Sequence, residues 1–393
     1  MQALLSPGIR LLGRFGFARK FQLLFLLFML PLVGSLWMIG LDYRDKLALI
    51  AGERAGVSQL LALETLDDLL TAQRDRTARW KAADILHDPT PAARDAMGAL
   101  DAANPGIGQA LTLIGAELHR DGATSETLDR YQKLQSAATG LDSAALRTVG
   151  WWPDGYERFT TALSALQTLR EQIAQDSGLI LDPWLETYLL MQMSTKQAPD
   201  LIERVGRLAS VGQTSVASGQ FSLQSRLQMR DLRSRLGDAR EQLNKTGGSL
   251  EARLSPDLQP WADQYRKSQQ RLDGEFKVLD NGLFGGSINL DTGSFERSVD
   301  ALLGDLMALR HQSLVSLDVR LAYYHDQSVR QFIPVATIFG CLLLAALYLF
   351  VCLQTSIRRS ASGITMLAQS LRDGNLDRKS TRLNSSHQYY LVC

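Results

Sequence analysis

Two arginines, Arg74 and Arg76, stand close together in the run AQRDRTARW, and a carboxylate, a hydroxyl and a phenol follow further along as Asp176, Ser177 and Tyr188. A guanidinium is a planar fork that gives two hydrogen bonds at once to a carboxylate or to nitrate. Aspartate, serine and tyrosine add the few polar groups that orient a ligand in an otherwise apolar pocket. These five are the candidate ligand-binding residues. The bland reading is a surface: Asp68 and Asp75 lie near enough to Arg74 and Arg76 for ordinary ion pairs, and the acidic pair Asp67-Asp68 reads as solvated helix face. Asp182-Pro183 reads as a helix start, and Trp151-Trp152 as packing at the end of a bundle.

Catalytic and metal chemistry find no such footing. The 5 histidines, at 87, 119, 311, 325 and 387, form no H-E-x-x-H or other close ligand spacing. His311 and His325 are four helical turns apart, about 21 Å on one helix. The sequence holds no Walker loop, no G-x-G-x-x-G and no G-x-S-x-G. No catalytic residue, metal or cofactor is expected.

The elements that must carry the five candidates are set by composition. The 393 residues are 45% apolar and 21% charged with net charge +1, which excludes a disordered chain and a polycation for nucleic acid. Charge is absent from two stretches. Residues 21–41 are long enough to cross a hydrocarbon core of roughly 30 Å, and so are residues 332–353. The first is longer than a signal-peptide core and no small-x-small site follows it, so a retained anchor is expected. Residues 1–20 hold Arg10, Arg14, Arg19 and Lys20 and no acid; residues from 354 on hold six basic and two acidic side chains. The remaining 32 basic and 39 acidic residues lie between the stretches. By the positive-inside rule both ends are expected in the cytoplasm of a bacterial inner membrane, with residues 42–331 periplasmic. Of the 3 cysteines, Cys341 and Cys352 fall in the second stretch and Cys393 ends the chain, so the outer segment has no disulfide available.

Between the stretches the apolar period is helical. Leu60, Leu63, Leu66, Leu69 and Leu70 form one stripe, Leu163, Leu166, Leu169 and Ile173 another. Breaks are expected at Asp88-Pro89-Thr90-Pro91, Asn104-Pro105-Gly106, Asp121-Gly122, Trp152-Pro153, Leu181-Asp182-Pro183, Gly247-Gly248 and Gly282 to Thr292. The fold expected is all-α: two transmembrane helices flanking an elongated helical bundle, arranged as two four-helix bundles stacked end to end along the shared long helices.

Three segments carry resemblances. Residues 357–377, IRRSASGITMLAQSLRDGNLD, resemble the first helix and connector of a HAMP signalling module. Ile357, Ala361, Ile364, Ala368 and Leu371 step by four and three as a coiled-coil seam, and Gly374 with Leu376 matches the connector. Residues 176–205 resemble a segment in outer domains of chemoreceptors, sensor kinases and diguanylate cyclases, on Asp176, Ser177, Leu179, Leu181, Asp182, Pro183, Leu185, Tyr188, Leu190 and Met191. Gln73 and Arg76 are similar to the Q-x-x-R element of nitrate- and nitrite-sensing-type helical domains, with Thr77 where those carry glycine.

With its architecture, the chain resembles the sensor part of a bacterial methyl-accepting chemotaxis protein. That resemblance implies a homodimer in the bilayer and a small ligand, such as an organic acid, an amino acid or an inorganic anion. It also implies a signal passed through residues 332–353 to a HAMP helix over 354–377 and on to cytoplasmic signalling proteins. The same front end also serves histidine kinases and diguanylate cyclases, and a ligand-free structural anchor is the third reading. Residues 378–393 resemble a translated adapter sequence and are expected to be the non-native tail of a truncated reading frame.

Overall fold

The computed structural model describes residues 17–85, 91–148, 152–284 and 288–372, with side chains masked at some helical positions near the ends of these spans. Every regular element among them is helical. Helix α1 runs Phe17–Ile85, α2 Pro91–Arg120, α3 Ser125–Thr139, α4 Ser143–Arg147 and α5 Trp152–Asp176. A short 3-10 turn at Leu179–Leu181 leads to α6 Leu185–Gln192, a π-turn Met193–Gln197 and α7 Ala198–Ser218. Then come α8 Leu223–Glu251, α9 Gln259–Leu283 and α10 Thr292–Arg372.

Local chemistry places most of the ends. Pro91 opens α2 where a missing N–H costs nothing. Gly122, at φ 70°, closes it, and Ala123 N–H reaches back to the Leu118 carbonyl. Thr124 and Asp142 cap α3 and α4 by accepting from the backbone of Thr127 and Ala145. Asp182 accepts from Trp184 N–H at 2.9 Å, just ahead of α6. The π-turn precedes Pro199, which has no N–H to continue the α-helical ladder; Ser194 and Thr195 hydroxyls both return to the Met191 carbonyl.

Two expected breaks are absent. Helix α2 passes through Pro105 unbroken, held by the buried stripe Ile107, Ala110, Leu111, Ile114 and Leu118. Helix α8 passes through Gly247-Gly248, because Gly247 serves packing: a Cβ there would lie 2.3 Å from the Tyr265 ring of α9.

The chain divides into two compact units, Lys46–Gln327 and the two flanking ends. In the larger unit α1 and α10 run antiparallel, since Arg54 pairs with Asp318 and Arg79 with Asp300. Helices α2 to α5 pack on one another and on α1, through contacts such as Gln59 with Asp121 and Gln73 with the Leu141 carbonyl. Helices α6 to α9 pack on one another and on α10, where the Trp261 indole donates to Ser313 and Arg271 pairs with Asp305. Both sets therefore sit at the same level of the α1–α10 pair, side by side. The end-to-end stacking expected from length is corrected by geometry. Helices of 29 and 30 residues run about 45 Å each, against about 60 Å for the part of α1 in this unit, so a second tier has no room.

In the smaller unit, the apolar stretches of α1 and α10 are long and apolar enough to cross a membrane. Trp37 is 70% exposed, and Leu27, Phe28, Leu344 and Leu349 are exposed with it, an apolar surface of the extent that marks a membrane or protein contact. Phe25 stacks on Phe350 and Tyr43 on Phe332. Helix α10 is continuous through Pro334 to Arg372. The side chains of Ala361, Ile364, Ala368 and Leu371, and all of Gly374, lie outside the described residues, as do Trp151 and the Trp152 side chain.

Candidate functional site

A cleft of about 500 Å³ opens where the two helical sets meet. Asp67 and Thr71 of α1 form its floor, and Leu163, Gln167 and Arg170 of α5 one wall. Lys196 and Gln197 of the π-turn, then Asp200, Ile202, Glu203, Arg204 and Arg207 of α7, form the other, with Ala239 and Gln242 of α8 behind. An isolated π-turn inside a helix shifts the side chains that follow it, and such turns recur at functional sites. Here it sets Lys196 and α7 toward α5.

Two of the cleft's acids are bonded beyond its walls. Asp67 is buried and accepts from Arg170 Nη2 at 2.6 Å and from Arg310 Nη1 of α10. Arg310, 1% exposed, also binds Glu64 Oε1 at 3.0 Å and Asp68 Oδ1 at 2.6 Å, and His311 Nδ1 meets the other oxygen of Glu64 at 2.8 Å. Burial raises the Asp67 carboxyl, but the guanidiniums of Arg310 and Arg170 more than offset it and hold it below its ordinary value. Burial lowers Arg170. Burial works against the Arg310 charge as well, and Asp67, Asp68 and Glu64 together keep it raised. Glu203 is the second shared acid. Its Oε2 accepts from Arg74 Nη1 of α1 at 2.5 Å and its Oε1 from Arg207 Nε at 2.7 Å. The cleft thus touches α10 through Asp67 and α1 through Glu203.

The five predicted residues do not assemble into one site. Arg74 lies directly behind the cleft, 1% exposed, with its guanidinium against Gly206, where a Cβ would fall 1.7 Å from Nη2. It is a buried pair with Glu203, not the surface pair that Asp68 and Asp75 suggested; Asp75 pairs with Arg79. Arg76 is half-buried and, two residues on, faces away from Arg74, with no ion pair among the described residues. Asp176 closes α5. Burial raises its carboxyl, but hydrogen bonds from Thr124, Thr127 and Gln172 outweigh that and hold it low. Ser177 sits against Gly56, whose added Cβ would meet it at 2.4 Å, so it marks a close approach of backbones. The Tyr188 hydroxyl accepts from Gln192 at 2.6 Å, away from the cleft.

The acidic pair Asp67-Asp68 is also corrected: Asp67 is interior, and Arg310 binds both carboxylates. Gln73 and Thr77, of the Q-x-x-R segment, are buried and structural, since Gln73 Nε2 donates to the Leu141 carbonyl and Thr77 Oγ1 to that of Gln73. Sequence reasoning missed Arg170, Lys196, Glu203, Arg204 and Arg207. A signal was present: charges at 196, 200, 203, 204 and 207 follow one face of a helix whose other face is apolar.

No family profile matches the chain and no curated protein matches it. Among solved structures, that of the NasR transcription antiterminator is similar, with a TM-score of 0.52 at 16% identity, over 84% of this chain and 86% of that one. The likeness is one of fold.

Proposed function

We propose that the chain is the sensory part of a transmembrane receptor of the chemotaxis type. Residues 42–331 stand on the periplasmic side, both ends in the cytoplasm, and a small ligand enters the cleft between two helical bundles that share α1 and α10. A dimer in the membrane passes the ligand-driven shift along α10 to the HAMP-like helix over 354–377.

What carries the reading is the sharing of cleft acids with both long helices. A ligand that repositions Asp67 or Glu203 changes what Arg310 on α10 and Arg74 on α1 can bind. Packed helices have discrete arrangements, so a small shift there favours one register of α1 against α10 over another. Supporting it, α1 and α10 are the same helices that hold the two apolar stretches and the uneven charge on either side.

Two measurements test this. In a chain freed of native cysteines, an impermeant thiol reagent applied to intact cells labels Arg120→Cys and spares Ser370→Cys; labelling of both from one side ends the proposal. Ligand added to the Arg54→Cys/Asp318→Cys pair changes its rate of disulfide formation across α1 and α10.

A further inference from the structure

The charges of the cleft are unevenly used. Its four carboxylates are all engaged: Asp67 by Arg170 and Arg310, Glu203 by Arg74 and Arg207, Asp200 by Arg204 Nε at 2.8 Å, and Glu171 by Gln167 Nε2 at 2.9 Å. Its cations are not. Among the described residues Arg204 and Arg207 bond only through Nε, which leaves both terminal amino groups of each without a partner, and Lys196 forms no ion pair. A guanidinium carries five N–H donors, so the vacancy is one of acceptors.

A second observation points the same way. Buried helix threonines ordinarily return their hydroxyl to a backbone carbonyl, as Thr77 and Thr195 do. Thr71 lines the cleft, is 1% exposed, and its Oγ1 has no partner among the described residues. A buried hydroxyl without a partner is destabilising, and a bound ligand would relieve it.

Size and lining narrow the class. An inorganic oxyanion displaces on the order of 50 Å³, roughly two water volumes, whereas organic ligands take sites of about 300–1,000 Å³. The cleft offers about 500 Å³, with the buried apolar side chains Leu163, Ile202 and Ala239 in its walls.

The geometry points to an organic carboxylate as the ligand of this cleft, its charge on the free ends of Arg204 and Arg207 with Lys196 beside them, its carbon skeleton on Leu163 and Ile202, and one polar atom at Thr71. Arg204 and Arg207 are three residues apart on α7 and so neighbours on its surface. This rests on the receptor reading above, which requires only that some ligand bind and act.

The test is titration calorimetry on the full chain in lipid nanodiscs. The probes are sodium salts of C4–C8 mono- and dicarboxylates, the matching amines and alcohols, and sodium nitrate. A carboxylate is expected to bind at least about tenfold more tightly than its amine or alcohol or than nitrate. Arg204→Gln and Arg207→Gln should each weaken it by about tenfold or more, the effect of one charge-assisted bond, and Thr71→Val by less. Both arginines are partly exposed, so unchanged helical circular dichroism verifies the fold of the variants. Tighter binding of an amine, an alcohol or nitrate overturns the assignment, as does carboxylate binding indifferent to both arginines, or no binding by any probe. The cross-link across residues 54 and 318 separates the two ideas. An amine that binds in the cleft and alters cross-linking removes the carboxylate and keeps the receptor; a carboxylate that binds and leaves cross-linking unchanged does the reverse.

Discussion

Two charged regions of this protein reach the same cleft, one through Asp67 and the other through Arg204 and Arg207, and they differ in burial and in how fully their donors are used. Around Arg310 every nitrogen of the guanidinium meets a carboxylate, and the residue is 1% exposed. Around Arg204 and Arg207 the side chains are 28% and 40% exposed, and each gives only its Nε to an acid on its own helix. The saturated cluster binds elements of the fold to each other. The unsaturated one holds donors that the fold does not use. Counting donors against acceptors, rather than counting charges, separates an architectural ion cluster from a receptive one.

That contrast fails or hardens on measurement. The largest effect is expected at the saturated cluster. Arg310→Met leaves Glu64 and Asp67 as buried acids without their main cation and should cost about 3–5 kcal/mol in denaturant unfolding. A loss below about 1 kcal/mol would show that the cluster is not structural.

Glu53 is a buried carboxyl with no cation partner among the described residues, and it sharpens the comparison. It is 0% exposed, both oxygens lack partners, and burial, with the Asp182 charge adding, pushes it up to about 8 from 4.5. Its folded pKa is raised, so its stabilising share is complete below pH 4.5 and lost as pH rises through about 8. Stability should fall by roughly 1.4 kcal/mol per pH unit across that window, and Glu53→Gln should flatten the slope. An unchanged pH profile in the variant removes Glu53 from that role.

Two glycines come next. A Cβ at Gly206 meets the Arg74 guanidinium and one at Gly247 meets the Tyr265 ring. Gly206→Ala and Gly247→Ala should each cost about 1–3 kcal/mol by overpacking, and only the first should also loosen the Arg74–Glu203 pair. The smallest effect belongs to the cleft: Arg204→Gln and Arg207→Gln should each change stability by less than about 1 kcal/mol, as partly exposed pairs do. A larger loss would move them into the architectural class.

The pattern of apolar residues was enough to read most of the helices, because a stripe at three and four residues has one low-energy solution in water. The break at Asp121-Gly122 was legible as well; the caps at Thr124 and Asp142 came only with the structure. The sequence pattern misread Pro105 and Gly247, since both residues break isolated helices and tertiary packing overrode that tendency in each. It misread Asp67 as solvated, because its cations, Arg170 and Arg310, lie more than a hundred residues away in sequence. Of the five candidate ligand residues, only Arg74 reached the cleft, and from behind its wall.

Helicity, the two apolar stretches and the asymmetry of charge about them were decided by the sequence alone, because each is a local property of composition and spacing. Which charges would be buried together, how the two helical sets lie beside one pair of long helices, and where donors would be left over were decided only by the tertiary structure. The reason is physical: a side chain's valence is spent on whatever the fold brings within about 3 Å, and for Asp67, Arg74 and Arg310 that partner comes from another helix.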